Sequence, residues 1–107
     1  MSDNPRYALY DAKYSIIAAN KADHKKEILC TIAGRCCESG DLIQENIMLP
    51  AVKRNDIIAV LTTGAYNYSM ASHYNQNQPL PVVMIKNDKD FIVVKRPSYD
   101  EMMKDML

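Results

Sequence analysis

The sequence predicts a mainly β domain, either a β-sandwich or a Greek-key-like barrel, with short helices that include a C-terminal helix. Two observations carry this prediction: short segments rich in β-branched residues recur along the chain, and turn-forming residues separate them. At 107 residues the chain is about the size of one domain. We therefore expect a single β-rich domain over residues 1–107.

The predicted strands are runs of alternating or continuous apolar residues in which β-branched side chains are frequent. They lie at residues 14–18, 27–33, 57–62, 81–86 and 90–95, with a weaker candidate at 42–47. Turn-rich residues at 53–56 and 87–89 separate neighbouring segments. The second of these turns is short, so it predicts a hairpin between the last two strands.

The first helix is predicted close to the amino terminus. Pro5 suits the first position of a helix, and Asn4 before it suits the cap. Such a helix places Arg6 and Tyr10 one turn apart on the same face. A solvated pair is the commoner role for two such residues, although a guanidinium and a phenol could together hold a carboxylate.

A second helix is predicted in the tyrosine-rich segment GAYNYSMASHYN. Residues 66–74 lack β-branched side chains, so a helix there would put Tyr66, Met70 and His73 on one side. The simplest role of these rings is to cover an edge of the core. Gly64 and the amides that begin a helix can also hold an anion, to which a Tyr hydroxyl could add a hydrogen bond.

The C-terminal helix is predicted from a capping pattern. Ser98 follows Pro97 and precedes Glu101 by three residues, which is the spacing of a capping box. The helix is expected to continue through the methionine-rich end of the chain, namely Met102, Met103 and Met106. With one Phe and no Trp, the core must be largely aliphatic, and a partner surface would help to complete it.

Charge and composition exclude several classes of protein. Thirteen Lys and Arg balance thirteen Asp and Glu, so the chain lacks the positive field expected of a nucleic-acid or membrane-surface protein. The apolar run at 57–61 is far shorter than the roughly 20 residues that span a bilayer. Residues 1–10 lack the pattern of a signal peptide. We therefore expect a cytoplasmic protein with neither nucleic acid nor membrane as a partner.

Three cysteines, Cys30, Cys36 and Cys37, cannot all pair within the chain, so reduced thiols are expected. Neither a Cys-x-x-Cys pair nor a close pair of histidines exists, so no metal site is expected. A buried thiol is the default role for a free cysteine. In an extended chain, however, neighbouring side chains face opposite ways, and one of the adjacent pair must then face away from the core.

The loop GRCCESGD, residues 34–41, is the densest cluster of reactive side chains in the sequence. Glu38 beside Cys37 disfavours a thiolate by like-charge repulsion. A protonated thiol suits a proton donor better than an activated nucleophile, so the loop does not indicate a cysteine protease.

Four segments resemble motifs of the diaminopimelate decarboxylases, which belong to the alanine-racemase-like pyridoxal-phosphate decarboxylases. NPRYALYDAKY resembles their R-P-A-L-Y segment, and CCESGD resembles their C-E-S-G-D segment. DIIAVLTTGAYNYSMASHYN is similar to G-A-Y-x-Y-S-M-A-S-N-Y-N, and the tail PVVMIKNDKDFIVVKRPSYDEMM is similar to their closing hairpin and helix. The resemblance covers nearly the whole chain and corresponds to the C-terminal β-domain of the family.

The resemblance implies a piece of a larger enzyme that converts meso-2,6-diaminopimelate to L-lysine with pyridoxal 5′-phosphate. The (β/α)8 barrel that carries the Schiff-base lysine is absent from residues 1–107, so the chain alone is expected to be inactive. The family also implies a homodimer whose active sites lie at the subunit interface. It further implies a small-molecule amino-acid substrate.

Particular residues match the functional positions of the family. The resemblance implies that Cys37 donates the proton to the substrate α-carbon and that Glu38 pairs with the far ammonium group. It implies that Arg6 and Tyr10 hold the distal carboxylate. It also implies that Tyr66 contacts both substrate and cofactor, through a hydrogen bond to the cofactor phosphate. The chain departs from the family at other positions, among them Tyr7 in place of Pro, His73 in place of Asn, and Cys36 in place of an aliphatic residue.

Two alternatives remain open from the sequence. The first keeps the family but changes the substrate to another basic amino acid or polyamine precursor, which would have no distal carboxylate for Arg6 to hold. The second is a β-module that binds a partner or an anion without catalysis. Glu38 after the cysteine, together with Arg6, favours diaminopimelate over the first alternative, and the second stays open.

Overall fold

A computed structural model describes residues 2–106, which form short strands joined by turns and single helical turns. The helices are α1 (Arg6–Tyr10), α2 (Asn67–Met70) and α3 (Tyr99–Met103), with 3-10 turns at Ala19–Lys21 and Tyr74–Gln76. The strands are β1 (Ile16–Ala18), β2 (Ile28–Ala33), β3 (Leu42–Leu49), β4 (Ile58–Val60), β5 (Val82–Lys86) and β6 (Lys89–Val94). Every predicted strand is present, and the weakest candidate became β3, the longest one.

The strands pair into three antiparallel two-stranded sheets, β1 with β4, β2 with β3, and β5 with β6. The mainly β class is therefore confirmed. Among residues 2–106 each strand has a single partner, so the hydrogen bonds do not close a barrel. The register of β2 against β3 shifts on both sides of Ile32, and β1 and β4 each have only three residues. Such interruptions limit how far a ladder can extend.

The buried core is small and lies where β1 meets the end of β3. Its apolar members are Tyr14, Ile16, Ala18 and Leu49, of which Leu49 is fully buried. α1 packs against β3, and β1 packs against β3 as well. The β5–β6 hairpin lies outside this core, because all of its side chains except Val94 are exposed.

A two-residue turn connects β5 to β6. Asn87 and Asp88 both have left-handed backbones, with φ of 53° and 57°. Two left-handed residues form the type I′ turn, whose twist matches that of the flanking strands, and Asn and Asp tolerate this conformation. The predicted hairpin is confirmed, although β6 begins at Lys89, inside the predicted turn.

Two predicted helices differ from the observed ones. Pro5, rather than Asn4, is the N-cap of α1. The side-chain amide of Asn4 is buried without a hydrogen-bond partner among the described residues. The single helix predicted over residues 66–74 is wrong. Tyr66 has a left-handed φ of 70°, and Ala71 has an extended backbone that ends α2. This segment therefore forms two separate single turns.

The C-terminal capping box is confirmed in both directions. The Ser98 backbone N–H donates to Glu101 Oε2 at 2.6 Å, and the Glu101 N–H donates to Ser98 Oγ at 3.1 Å. The helix ends at Met103, earlier than predicted. Within the stretch that the structure describes, no helix has the length and apolar character that a membrane crossing requires.

Candidate functional site

Arg6 and Tyr10 meet on α1, as the one-turn spacing predicts. Arg6 Nε donates to Tyr10 Oη at 2.6 Å, and Arg6 Nη1 donates to Tyr14 Oη at 3.1 Å. The bond to Tyr10 is the main cause of a raised pKa of the Arg6 guanidinium. Tyr14 is buried at 8% exposure and in turn donates to Asn67 Oδ1 at 3.3 Å. The guanidinium is thus fixed in direction by a chain of hydrogen bonds that starts in the core.

Tyr66 reaches the same guanidinium from a distant part of the sequence. Its ring centroid lies 5.2 Å from Arg6 Cζ, beside the rings of Tyr10 at 5.5 Å and Tyr14 at 5.8 Å. These distances fall in the range of cation–π contacts. We call Arg6, Tyr10, Tyr14 and Tyr66 the Arg6 cluster. The sequence predicted Arg6, Tyr10 and Tyr66 as site residues, whereas Tyr14 was predicted only as part of a strand.

The Arg6 cluster has the chemistry of an anion site. Among residues 2–106, Arg6 makes no ion pair, and its Nη2 makes no hydrogen bond. Tyr66 is 65% exposed, and within the described chain its hydroxyl has no hydrogen-bond partner. Free guanidinium N–H groups bind carboxylate or phosphate oxygens with two parallel bonds, and a phenol can add another. The cluster can therefore hold a carboxylate, a phosphate or both.

The second group is the loop of residues 34–41, which we call the Cys37 loop. Asp41 closes it: this residue is buried at 4% exposure, and its Oδ2 accepts the Cys36 backbone N–H at 2.8 Å. The Asp41 carbonyl also accepts the Gly34 N–H at 2.7 Å, and the Asp41 N–H donates to Glu38 O at 3.1 Å. The backbone is thereby folded tightly around one carboxylate.

The two adjacent cysteines of the loop have different surroundings. Cys36 is half-buried, and burial, followed by the nearby Asp41 carboxylate, raises the pKa of its thiol. Cys37 is exposed, and its Sγ lies 3.3 Å from Asn75 Nδ2. One of the pair does face outward, and it is Cys37, but residues 35–38 form bends rather than the extended chain on which the prediction rested.

Glu38 carries an unused carboxylate oxygen. The residue is half-buried, and its buried Oε2 has no hydrogen-bond partner within residues 2–106. Gly40 makes room for this oxygen, because a Cβ at position 40 would lie 2.7 Å from Glu38 Oε2. A buried carboxylate oxygen without a donor is costly, so the arrangement suits a cationic ligand group that supplies one.

The two groups are separate within one chain. No described hydrogen bond, ion pair or ring contact joins a member of the Arg6 cluster to Cys37 or Glu38. The five predicted site residues therefore fall into two sets, Arg6, Tyr10 and Tyr66 in one and Cys37 and Glu38 in the other. Over the described part of the chain, His, Cys, Asp and Glu side chains form no group of three that could hold a metal ion.

Sequence reasoning did not find Asn75, whose amide contacts the Cys37 thiol. This residue is the last one of the tyrosine-rich segment and has a left-handed φ of 54°. Its approach to Cys37 depends on how the turn at Tyr74–Gln76 packs beside the Cys37 loop. The spacing along the chain contains no signal of that contact.

Comparisons with known proteins match this chain to one family. The family model described as the C-terminal sheet domain of pyridoxal-dependent decarboxylases matches residues 1–64. Among curated relatives, the diaminopimelate decarboxylase of Bacillus subtilis is 47% identical over 104 residues, which are 97% of this chain and 24% of that protein. The Staphylococcus aureus enzyme is 48% identical over 104 residues, with 96% and 24% coverage. The chain therefore spans about a quarter of these relatives.

Solved structures of the same enzyme share the fold. The diaminopimelate decarboxylase of M. jannaschii in co-complex with L-lysine superposes with a TM-score of 0.89 at 30% identity, covering all of this chain and 24% of that one. The Helicobacter pylori enzyme complexed with L-lysine gives 0.85 at 32% identity, covering 97% and 25%. The match extends to the C-terminal strands and helix that lie beyond the family model.

Proposed function

This chain belongs to the pyridoxal-dependent decarboxylases through their C-terminal sheet domain, and from that premise we propose that it is part of a diaminopimelate decarboxylase. The whole enzyme would convert meso-2,6-diaminopimelate to L-lysine and carbon dioxide. Residues 1–107 would form its C-terminal β-rich domain, and a (β/α)8 barrel elsewhere in the protein would carry the cofactor lysine. The chain alone would then be inactive, because the reaction needs both parts.

The observation that carries the proposal is the meeting of Arg6, Tyr10 and Tyr66 around one guanidinium. Arg6 and Tyr10 lie on α1, whereas Tyr66 precedes α2 far along the chain. Three residues that match functional positions of the family thus share one place in the fold. A merely solvated Arg would not need a phenol fixed by a hydrogen bond at 2.6 Å and a second one buried in the core.

Arg6 would recognise the distal carboxylate of the substrate. Tyr10 and Tyr14 hold its Nε and Nη1, which leaves Nη2 available for a carboxylate oxygen. A guanidinium pre-oriented in this way loses little side-chain entropy on binding. Ornithine-type substrates have no distal carboxylate, so this group would favour diaminopimelate over them.

Glu38 would bind the ammonium group at the same end of the substrate. Its Oε2 is buried and has no hydrogen-bond partner in the described chain, which costs free energy. An ammonium donor would remove that penalty and add a charge-assisted hydrogen bond. Arg6 and Glu38 together would then read a carboxylate and an ammonium on one carbon. That pair of charges is what distinguishes diaminopimelate from a monoamino acid of similar length.

Cys37 would deliver the proton that replaces the departing carboxyl group. Carbon dioxide leaves with cleavage of the carbon–carbon bond, and the bonding electron pair stays on the substrate side. The Sγ–H proton then forms the new carbon–hydrogen bond and leaves a thiolate. Because Cys37 is exposed, that thiolate can recover a proton from water, so the net reaction consumes one proton for each carbon dioxide released.

The residues present fit one edge of the cofactor. Tyr66 offers an exposed hydroxyl without a protein partner in the described chain, and Arg6 lies beside its ring. These are suitable donors for a phosphate group. Tyr66 would hold that phosphate and would border the substrate as well. Pyridoxal 5′-phosphate, when bound, supplies a ring that accepts the electron pair left behind by carbon dioxide.

The separation of the two groups supports assembly from two copies. Because Cys37 and Glu38 make no contact with the Arg6 cluster in one chain, a complete site would combine the Arg6 cluster of one copy with the Cys37 loop of another. The enzyme would be a homodimer with sites at the interface, working in the cytoplasm. The three small sheets would together make up the predicted sandwich or barrel.

A chimeric enzyme tests the proposal directly. This chain replaces the matching C-terminal segment of the Bacillus subtilis relative, and carbon dioxide release is measured with meso-diaminopimelate and with L-ornithine. We expect activity on meso-diaminopimelate only, loss of at least about a hundredfold in Cys37→Ala, and retention in the matched control Cys30→Ala. Preference for ornithine would support the related-substrate alternative, and a folded but inactive chimera would support a non-catalytic module.

A further inference from the structure

The Cys37 thiol and the Asn75 amide form a contact that no functional assignment so far includes. Asn75 Nδ2 lies 3.3 Å from Cys37 Sγ, whereas Asn75 Oδ1 lies 3.7 Å from it. A sulfur atom accepts hydrogen bonds at such distances. The amide N–H donates to the sulfur at the shorter distance, and the thiol S–H donates to the amide oxygen at the longer one. Only the bond from the N–H remains possible after the thiol has lost its proton.

The backbone holds this amide in place. Asn75 has φ 54° and ψ 26°, the left-handed conformation that Asn adopts more readily than most residues. The Gln76 N–H donates to the His73 carbonyl at 2.7 Å, and the Asn77 N–H donates to the Tyr74 carbonyl at 3.2 Å. Asn75 thus lies in the middle of a closed turn, which fixes the backbone from which its short side chain reaches the thiol.

The neighbouring groups make such a donor useful. Glu38 is adjacent to Cys37 in sequence, and the Asp41 carboxylate lies at the base of the same loop. Tyr74 shares this environment: burial, followed by the negative charges of the loop, raises the pKa of its hydroxyl. A thiol that gives up its proton here becomes an anion among like charges, and a hydrogen bond to the sulfur offsets that repulsion.

We propose that Asn75 is a positioning residue that holds Cys37 Sγ and stabilises the thiolate left after proton donation. The role in turnover rests on the proposed function, whereas the contact itself does not. Without the amide, less thiolate would form and the sulfur would occupy several rotamers. Asn75 does not touch the reacting carbon in this assignment, so it acts only through Cys37.

The test uses the chain in a Cys30→Ala, Cys36→Ala background, which leaves Cys37 as its one thiol. The rate of alkylation by iodoacetamide is measured at about pH 7 in this background and with Asn75→Gly added. Glycine preserves the left-handed backbone, so only the amide is lost. We expect alkylation to slow by roughly threefold, since a smaller thiolate fraction outweighs the higher nucleophilicity of each thiolate.

Gln76→Gly is the matched control. Gln76 is the next residue, is also left-handed at φ 55°, and its side chain makes no hydrogen bond in the described structure. Its replacement should leave the alkylation rate unchanged. Asn75→Asp keeps the shape but exchanges the donor for an anion, so it should slow alkylation at least as much as glycine. Circular dichroism of each variant confirms that the fold is retained.

Equal alkylation rates in the background and in Asn75→Gly would overturn the assignment, as would an equal effect of Gln76→Gly. In the chimeric enzyme, Asn75→Gly should lower kcat by roughly threefold to tenfold and leave KM unchanged. An inactive chimera combined with slowed alkylation would refute the proposed function and leave the contact standing. An active chimera with unchanged alkylation would refute the contact alone.

Discussion

The carboxylate of Asp41 accepts the backbone N–H of Cys36 at 2.8 Å and lies directly against Gly34. The residue before the exposed thiol is therefore tied to a buried side chain on the other arm of the loop. This contact fixes the backbone next to Cys37, whereas the Asn75 amide contacts the thiol itself. Changes at either end of the contact should affect the loop first.

Gly34→Ala is predicted to destabilise the chain. A methyl group at position 34 would overlap the Asp41 carboxylate, which is buried and cannot move without losing its bond to Cys36. We expect the free energy of unfolding to fall by about 1–3 kcal/mol. Urea titration measures the loss, and Gly64→Ala is the control, because no atom lies within 4 Å of the added methyl group there. Equal effects at the two glycines would contradict the proposed close contact.

Glu38→Gln is predicted to weaken substrate binding in the chimeric enzyme. The neutral amide keeps the size of the side chain but loses the charge that would pair with the far ammonium group. We expect KM for meso-diaminopimelate to rise roughly tenfold or more, with a smaller effect on kcat. Steady-state kinetics provide the measurement, and Glu27→Gln, at an exposed residue, should change neither constant. An unchanged KM would remove Glu38 from the substrate site.

Acid should destabilise the chain in part through Asp56. Lys21 Nζ, Asn20 Nδ2 and the Lys53 N–H all bond this carboxylate, and they hold its pKa far below the ordinary value, with Lys21 the largest cause. A carboxyl group with a lowered pKa in the folded state contributes stability above its unfolded pKa of about 4 and loses it as the pH falls. The melting temperature should therefore drop with acidification below about pH 4.

The variant Asp56→Asn isolates this contribution. It should melt at a lower temperature than the parent chain near neutral pH, and its melting temperature should depend less on pH below about pH 4. Calorimetry or circular dichroism measures the melting temperature of both proteins over that pH range, and hence its dependence on pH in each. Parallel curves for the two proteins would show that Asp56 does not contribute to the acid sensitivity.

The capping box at the start of α3 should stabilise the C-terminal helix. Ser98→Ala removes the acceptor for the Glu101 N–H and should lower the free energy of unfolding by about 1 kcal/mol. Ser39→Ala removes an exposed hydroxyl without a hydrogen bond in the described chain, so it should be close to neutral. Thermal unfolding of the two variants separates the cap from a general effect of losing a serine. If Ser98→Ala lowers the free energy of unfolding no more than Ser39→Ala does, the capping box does not stabilise the chain.

The isolated chain should self-associate through the β5–β6 hairpin. Ile85 and Ile92 are 78% and 66% exposed, and further apolar side chains cover both faces of the two strands. Exposed apolar surface of this extent is typical of an interface. Sedimentation velocity should show a species that grows with concentration and that weakens in Ile92→Lys. A strictly monomeric profile at all concentrations would contradict this prediction.

The strands were predictable because their signal is local. Alternating apolar residues such as those of β5 and β6 mark a strand without reference to the rest of the fold, and Asn87 and Asp88 mark the turn between them. The helices were harder, because each has only four or five residues. Helices this short depend on tertiary contacts, and the left-handed Tyr66 and extended Ala71 divided the segment that composition favoured as a single helix.

The site was predictable where its members are one turn apart and unpredictable where they are not. The spacing of Arg6 and Tyr10 was sufficient to expect their contact. The family resemblance implied a role for Tyr66 as well, but no local pattern predicts that its ring lies against Arg6. Tyr14 lies beyond the end of α1, so helical spacing does not predict its bond to Arg6, and Asn75 reaches Cys37 from a distant part of the chain.

The exposed hairpin also bears on the lifetime of a solitary copy inside a cell. Chaperones bind apolar strands that lack a cover, and proteases remove chains that stay in that state. β5 and β6 present apolar side chains on both faces beside a turn of two left-handed residues. A copy whose hairpin stays uncovered should therefore be degraded sooner than one whose hairpin is covered.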